Sequence, residues 1–182
     1  MPRLDNGEQV GIKSESFNKE KNMSQTFELP SREGDAPKIG TVPPQLQFSD
    51  LGPEAIRLAL KKWAFSSFPN VSEHDTLISV PTSRALWLDE GVKTAHDDAF
   101  MPPAGSREFC HLHEDGSFHA VVDVAVEQEI LEKKWGVRHM YYDRGVKEML
   151  VYAPRSEDEL RVAQRIITES YRYASGDLET RP

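Results

Sequence analysis

An Asp-Gly pair at positions 115 and 116 separates two runs of strand-forming residues, and this feature constrains the fold most. Residues 108–113 lead into the pair, and residues 117–124 lead out of it. Asp-Gly is typical of β-hairpin turns, because glycine tolerates the positive φ that such turns require. The segment therefore predicts two antiparallel strands.

Helices are predicted on both sides of this hairpin. Pro53, followed by apolar residues at helical spacing, predicts a helix that begins near residue 53 and ends at residues 68–69. A second helix is expected over residues 125–135, with Gly136 as its stop. The capping box at residues 156–159 predicts the start of a third helix, which Gly176 closes.

Short apolar runs at residues 76–80, 85–88 and 148–152 are predicted as further strands. Residues 90–106 are rich in Gly, Pro, Asp and His and are expected to form a long loop, a type of segment that is often functional. Together these elements predict a single α+β domain with a small, mostly antiparallel sheet packed against about three helices.

Composition divides the chain of 182 residues into four segments. Residues 1–28 are polar and aperiodic, which predicts a disordered N-terminal tail. Residues 29–50 contain many prolines and glycines, and we expect them to form an irregular arm over the domain. Residues 51–176 form the predicted domain, and residues 177–182 a C-terminal tail.

Charge and composition argue against several classes of partner. The net charge of −8 repels phosphate backbones, so we expect no nucleic-acid partner. No apolar run approaches the ~20 residues that span a bilayer, so we expect no membrane partner. A single cysteine, Cys110, excludes an internal disulfide and favours a reducing, cytoplasmic location. Oligomeric state is not specified by these features.

Three of the six histidines, His111, His113 and His119, flank the Asp-Gly pair. Side chains alternate along a strand, so the first two share one face of the sheet. A three-residue turn over residues 114–116 pairs His111 with His119, and all three rings then converge. A two-residue turn sends His119 to the other face. Asp-Gly permits both, and we favour the three-residue turn.

Three interpretations of this histidine triplet stay open. The rings could be solvated or hydrogen-bonded groups with a structural role. They could act as general acids and bases near neutral pH, removing a proton from an enol or phenol. They could also bind a transition metal, since three imidazoles leave an open coordination position. Acid–base chemistry without a cofactor is the interpretation that we take forward, with metal binding as the minority alternative.

Other candidate site residues come from single positions. Arg138 and His139, just past a predicted helix stop, could face a pocket and bind an enolate or carboxylate. Arg155 could bind an anion, or pair with one of the acidic residues 157 and 158. Trp135 is more typical of a core residue than of a ligand platform. His96 lies in the long loop, which could cover a pocket.

Several sequence elements resemble the fungal-luciferase-like family. Residues 108–113 and 117–119 are similar to its histidine-rich hairpin, and residues 134–139, KWGVRH, to its Trp-Gly-x-Arg-His element. Residues 151–155, VYAPR, look like its Tyr-Ala-Pro-Arg element, and residues 29–34 resemble a segment that precedes the domain.

The resemblance implies an enzyme of secondary metabolism. Fungal luciferase oxygenates a hydroxylated pyrone with O2, without flavin or metal, so O2 is a possible co-substrate here. An enolic or phenolic polyketide-like substrate is expected, converted by oxygenation or by isomerisation, cyclisation or decarboxylation. A non-catalytic small-molecule binding protein and a three-histidine metal enzyme are the alternatives. The residues that the resemblance carries over are His111, His113, His119, Arg138, His139 and Arg155, with Trp135 and Tyr152 in the matching elements.

Overall fold

The structure of the chain is a computed structural model that describes residues 27–180. The tail predicted over residues 1–28 therefore lies outside the described residues, apart from its last two positions, as do residues 181–182 of the predicted C-terminal tail. Within residues 27–180, no helix has both the length and the apolar character needed to cross a bilayer.

One six-stranded sheet forms the centre of the fold, with the strand order β1-β2-β3-β4-β6-β5. Every neighbouring pair is antiparallel. The strands are β1 Val71–Asp75, β2 Arg84–Leu88, β3 Glu108–Leu112, β4 Phe118–Ala120, β5 Gly136–Arg138 and β6 Met149–Val151. The predicted antiparallel α+β fold is confirmed.

Three α-helices accompany the sheet: α1 Glu54–Ala64, α2 Val124–Glu132 and α3 Glu157–Ser175. The Ser156 hydroxyl accepts from the Glu159 backbone N–H at the start of α3, and Gly176 ends the helix in the left-handed region at φ 76°. Both are the predicted signals, because a capping hydroxyl satisfies a free N–H and glycine tolerates positive φ. Helix α3 packs against α1 and β3.

The prediction of a strand over residues 76–80 is wrong. These residues form a loop, and β1 occupies Val71–Asp75 instead. The segment leaves the sheet because Glu108 binds its beginning. The Thr76 hydroxyl donates to Oε1 of Glu108 at 2.8 Å, and the Leu77 N–H donates to Oε2 at 3.3 Å. The residues that follow cross the histidine-bearing face as a loop.

Helix α2 ends at Glu132, before the predicted end at residue 135. Lys134 takes the left-handed conformation at φ 63°, and the Trp135 N–H returns to the Ile130 carbonyl at 2.9 Å. Gly136 is therefore not the helix stop but the first residue of β5. A Cβ there would lie 2.3 Å from the Leu150 carbonyl oxygen, so the approach of β5 to β6 requires glycine.

The two faces of the sheet have different coverings. Cys110, Phe118 and Ala120 belong to the apolar core that the helices complete. The opposite face carries the histidines, and part of residues 27–50 lies over it. There Gln47 donates from its N–H to Asp115 and accepts from the Ala153 N–H. Among residues 27–50, the only ladder contact that the structure describes is the bridge between Ile39 and Gln47.

Candidate functional site

The hairpin turn has the three-residue form. The His113 N–H donates to the Ser117 carbonyl at 2.9 Å, and His111 pairs with His119 in the register. Gly116 takes φ +93°, and Asp115 accepts from the Ser117 N–H at 2.7 Å. This parity puts the three histidines on one face, so the predicted convergence is confirmed.

The three imidazoles form a compact, buried cluster. Their ring centroids lie 5.2 Å apart for His111–His113, 5.0 Å for His111–His119 and 5.1 Å for His113–His119. Exposed fractions are only 1%, 6% and 3% in chain order, which argues against solvated rings. His139, from the turn after β5, extends the cluster with a centroid 5.3 Å from that of His119.

Hydrogen bonds hold the rings in defined orientations. Nδ1 of His111 lies 2.7 Å from the Glu108 carboxylate, and its Nε2 lies 3.1 Å from Nδ1 of His119. Nδ1 of His113 lies 2.9 Å from the Ser117 hydroxyl. Nε2 of His113 is buried without a hydrogen-bond partner in the described structure. This unpaired nitrogen is available to a ligand.

Burial keeps His113 and His119 neutral near pH 7. Loss of solvation is the main cause that lowers the pKa of His113 and His119 well below the ordinary value of 6.5, and the neighbouring His111 adds to it. The pKa of the half-buried His139 is also lowered, first by burial and then by His111. Neutral rings offer lone pairs that can accept a proton or bind a cation.

Two buried glutamates complete the site, and sequence reasoning missed both. Burial raises the pKa of Glu148 to about 8, with a further contribution from Glu108. Oε1 of Glu148 has no hydrogen-bond partner among the described residues. Glu108 escaped notice because strict alternation puts it on the face opposite His111. A shift in the β2–β3 register adds one residue to β3 and reverses that parity.

The cluster lies between two cavities. One, of about 210 Å³, opens onto His111 and His119. Its lining is Pro43, Pro44, Gln45, Ile78, Ser79, Pro102, His111, His119, His139, Tyr141, Val146 and Glu148. The other, of about 280 Å³, lies between α1 and the hairpin turn and touches only His113 of the triplet. The smaller cavity combines most of the titratable groups, and we call it the histidine cavity.

The two predicted arginines do not join the histidines. Arg138 is half-exposed and donates to the buried Glu127 carboxylate at 2.8 and 2.5 Å, outside the histidine cavity. Arg155 pairs with Glu159, not with residue 157 or 158, and also donates to the Glu33 carbonyl at 2.7 Å. Each guanidinium group forms an ion pair with a glutamate of the same domain, Arg138 with Glu127 and Arg155 with Glu159.

The remaining predicted residues also lie away from the histidine cavity. Trp135 is buried, and its indole N–H donates to the Pro30 carbonyl at 2.6 Å, which ties the arm to the domain. Tyr152 is buried beneath the guanidinium of Arg32, 5.3 Å from the ring centroid. His96 is exposed and stacks on Tyr173 of α3 at 4.4 Å. Of the predicted site residues outside the histidine triplet, only His139 lines the histidine cavity.

Two groups of side chains have the proximity that a metal ion requires. In each group, one ligating atom per residue lies within 4.8 Å of the others. The first group is His111, His113 and His119, all buried, and the second is His119, His139 and Glu148.

The histidines and buried glutamates of the site lie inside the region that matches a known family, whereas the cavity-wall residues 43–45, 78–79 and 102 lie outside it. A family model described as the Luciferase domain matches residues 106–170. Proteins named Luciferase from Neonothopanus nambi, Armillaria gallica and Armillaria mellea are each 35% identical over 78 residues, which is 39% of this chain and 29% of the relative. The matched part therefore spans under a third of those relatives. No solved structure matches the chain.

The matched residues 106–170 contain the whole histidine hairpin, both buried glutamates and His139. The likeness thus covers the same segment that the geometry singles out. Residues 106–170 therefore match the Luciferase domain, and the chain resembles that family over this segment.

Proposed function

We propose that this chain is a small-molecule enzyme of secondary metabolism that removes a proton from an enolic or phenolic substrate in the histidine cavity. The observation that carries the proposal is the buried, neutral imidazole of His119 on the wall of that cavity, with His139 beside it. A buried neutral imidazole is a competent general base for an acidic O–H group, provided that the substrate lies within hydrogen-bond distance.

Groups around the cavity can take up the substrate proton and stabilise the anion that remains. His119 and His139 offer ring nitrogens to the substrate O–H. Glu108 accepts from His111, which in turn contacts His119, so positive charge on the cluster has a carboxylate partner. Glu148 keeps its proton at neutral pH and can donate it in a hydrogen bond to the substrate anion.

Size and lining support a compact aromatic or pyrone-like ring. About 210 Å³ falls below the roughly 300–1,000 Å³ of pockets for drug-sized ligands, so a single ring fits better than a fused system. Pro43, Pro44 and Pro102 supply flat apolar walls. The family likeness favours reaction of the anion with O2, and isomerisation, cyclisation or decarboxylation would use the same first step.

Deuterium uptake at the ring carbon beside the ionised oxygen tests the proton-transfer step without knowledge of the product, because the anion takes up deuterium at that carbon, whereas O–H groups exchange without an enzyme. The full chain is incubated in D2O with a panel of 4-hydroxy-2-pyrones and phenolic ketones, with and without O2. Mass spectrometry measures deuterium uptake, and an electrode measures O2 consumption. We expect His119→Ala to lower the exchange rate by about 10²–10⁴-fold, the usual contribution of a general base. His96→Ala, on the surface, serves as the matched control.

A non-catalytic binding protein is the competing explanation. His119→Ala separates the two when turnover and affinity are measured on the same compound. Lost turnover with retained affinity supports an enzyme. Binding of the compounds without exchange or O2 uptake, even by the unmodified chain, would refute the proposal in favour of a carrier or sensor.

A further inference from the structure

We infer that His111, His113 and His119 bind a divalent transition-metal ion. This inference deepens the proposed function, on which its catalytic meaning rests, by naming a cofactor for the same site. It departs from the sequence-based expectation of cofactor-free chemistry. Three protein ligands leave a coordination position open for water or substrate.

The spacing of the nitrogen atoms fits such an ion. The ligating atoms of the three rings all lie within 4.8 Å of one another. Nε2 of His111 and Nδ1 of His119 are 3.1 Å apart. Two imidazole nitrogens in a tetrahedral site, each at ~2.0–2.1 Å from the metal, are separated by about 3.3 Å. Small ring adjustments therefore suffice to complete the site.

The hydrogen-bond partners of His119 favour a cation bound between the rings, because His119 has too few donors for its neighbours. A neutral His111 ring donates Nδ1–H to the Glu108 carboxylate, and its Nε2 then presents a lone pair to His119. Nε2 of His119 faces the Gln45 carbonyl oxygen at 3.4 Å. A neutral imidazole has one N–H. The single N–H of His119 can donate to Nε2 of His111 or to the Gln45 side-chain oxygen. The acceptor that is left then faces a ring nitrogen of His119 that carries a lone pair and cannot donate.

A metal ion removes this conflict. Nε2–H of His119 then donates to Gln45, while Nδ1 and the Nε2 atom of His111 both point their lone pairs at the cation. The ion also supplies a partner for the buried Nε2 of His113, which has none among the described residues. Turning the Gln45 amide, or a proton on Nε2 of His111, would repair His119 alone and leave His113 unsatisfied.

The outer nitrogens are held as in established metal sites. Each ring presents its other nitrogen to a side chain: His111 to Glu108, His113 to Ser117 and His119 to Gln45. Such outer partners fix the tautomer and orient the ligand. Three imidazoles and no first-sphere oxygen favour zinc, copper, iron or nickel over calcium and magnesium, which prefer oxygen ligands.

A bound cation would also stabilise the substrate anion. Its open position could take the enolate or phenolate oxygen and favour ionisation of that group. With the ion bound, His119 acts as a ligand and leaves the role of base to His139, which lies outside this ligand set with Glu148 and stays free to exchange protons at the cavity wall.

Metal binding is measured directly on the untagged full chain. The protein is stripped with a chelator and titrated with Co²⁺, and the visible absorption of the bound ion is then displaced with Zn²⁺. We expect one equivalent per chain and a rise in Tm with Zn²⁺. His113→Ala should lose both signals, and Glu108→Gln should weaken binding about 10- to 100-fold. His96→Ala is the matched control and should bind as the unmodified chain does.

Two results would overturn the inference: no stoichiometric binding by the folded chain, or equal binding by the unmodified chain and His113→Ala, which means an adventitious ion only. Circular dichroism checks folding, and His119→Gln tests the same ligand set if His113→Ala does not fold. Undiminished turnover by metal-free protein would rule out the cofactor role of the ion and leave the proposed function intact. Stoichiometric metal binding without turnover of any compound would support the inference and refute the proposed function.

Discussion

Replacing Glu148 by glutamine should stabilise the folded chain at neutral and alkaline pH and have little effect near pH 4. The side chain is 1% exposed, and its pKa is raised from 4.5 to about 8. Burial removes water from the carboxylate, and Glu108 adds a like charge. Glutamine has nearly the same shape but carries no charge, so it avoids the penalty of ionisation in the interior.

The magnitude follows from the two pKa values. In the unfolded chain Glu148 loses its proton near pH 4.5, whereas the folded chain keeps it until about pH 8. Ionisation between these values favours unfolding, so stability is full below pH 4.5 and falls as the pH rises through 8. At ~1.36 kcal/mol per pKa unit, the loss is about 3 kcal/mol at pH 7 and about 5 kcal/mol above pH 8.

Urea unfolding of both proteins from pH 4 to 9, in the presence of a chelator, measures this difference. Other titrating groups cancel in the comparison, so the excess stability of Glu148→Gln should grow with a slope near 1.4 kcal/mol per pH unit between pH 5 and 8. Glu132→Gln, at an exposed position of α2, is the control. A difference that does not change with pH would show that Glu148 ionises in the folded chain as it does in water, which refutes the reasoning.

Three further predictions concern packing and capping, each read out as the free energy of unfolding. Gly136→Ala should cost about 1–3 kcal/mol or more, because the new Cβ would lie 2.3 Å from the Leu150 carbonyl oxygen; an unchanged stability would contradict that close approach. Trp135→Phe should cost about 1 kcal/mol, and it should speed proteolysis of the arm, because the 2.6 Å bond to Pro30 is lost. Asp123→Ala should cost about 0.5–2 kcal/mol, since its carboxylate caps two N–H groups of α2.

Features with a local cause could be predicted from the sequence. The Asp-Gly pair fixes the hairpin, because only a few backbone conformations connect adjacent antiparallel strands. The Ser156 cap and Gly176 fix the ends of α3 in the same local way. With the period-two alternation of strands, a three-residue turn also brings His111 and His119 together, so the centre of the candidate site was the favoured one of two predicted arrangements.

Features that depend on distant segments could not be predicted. Glu108 reaches His111 only because the β2–β3 register shifts by one residue. Arg138 pairs with Glu127, eleven positions away, because β5 runs beside α2, and sequence alone left that neighbour unknown. The cavity wall combines residues 43–45, 78–79, 102 and 139–148, and no local pattern indicates that these meet.

The sequence by itself therefore determined the hairpin, the ends of the last helix and the shared face of His111 and His113, since turn, cap and strand preferences act over a few neighbouring residues. Only the tertiary structure decided that His119 shares that face, that the three rings are buried and backed by Glu108, and that Glu148 joins them. Burial and the effective dielectric around a group come from every segment packed against it, and these properties convert a row of histidines into a site that can move a proton or bind an ion.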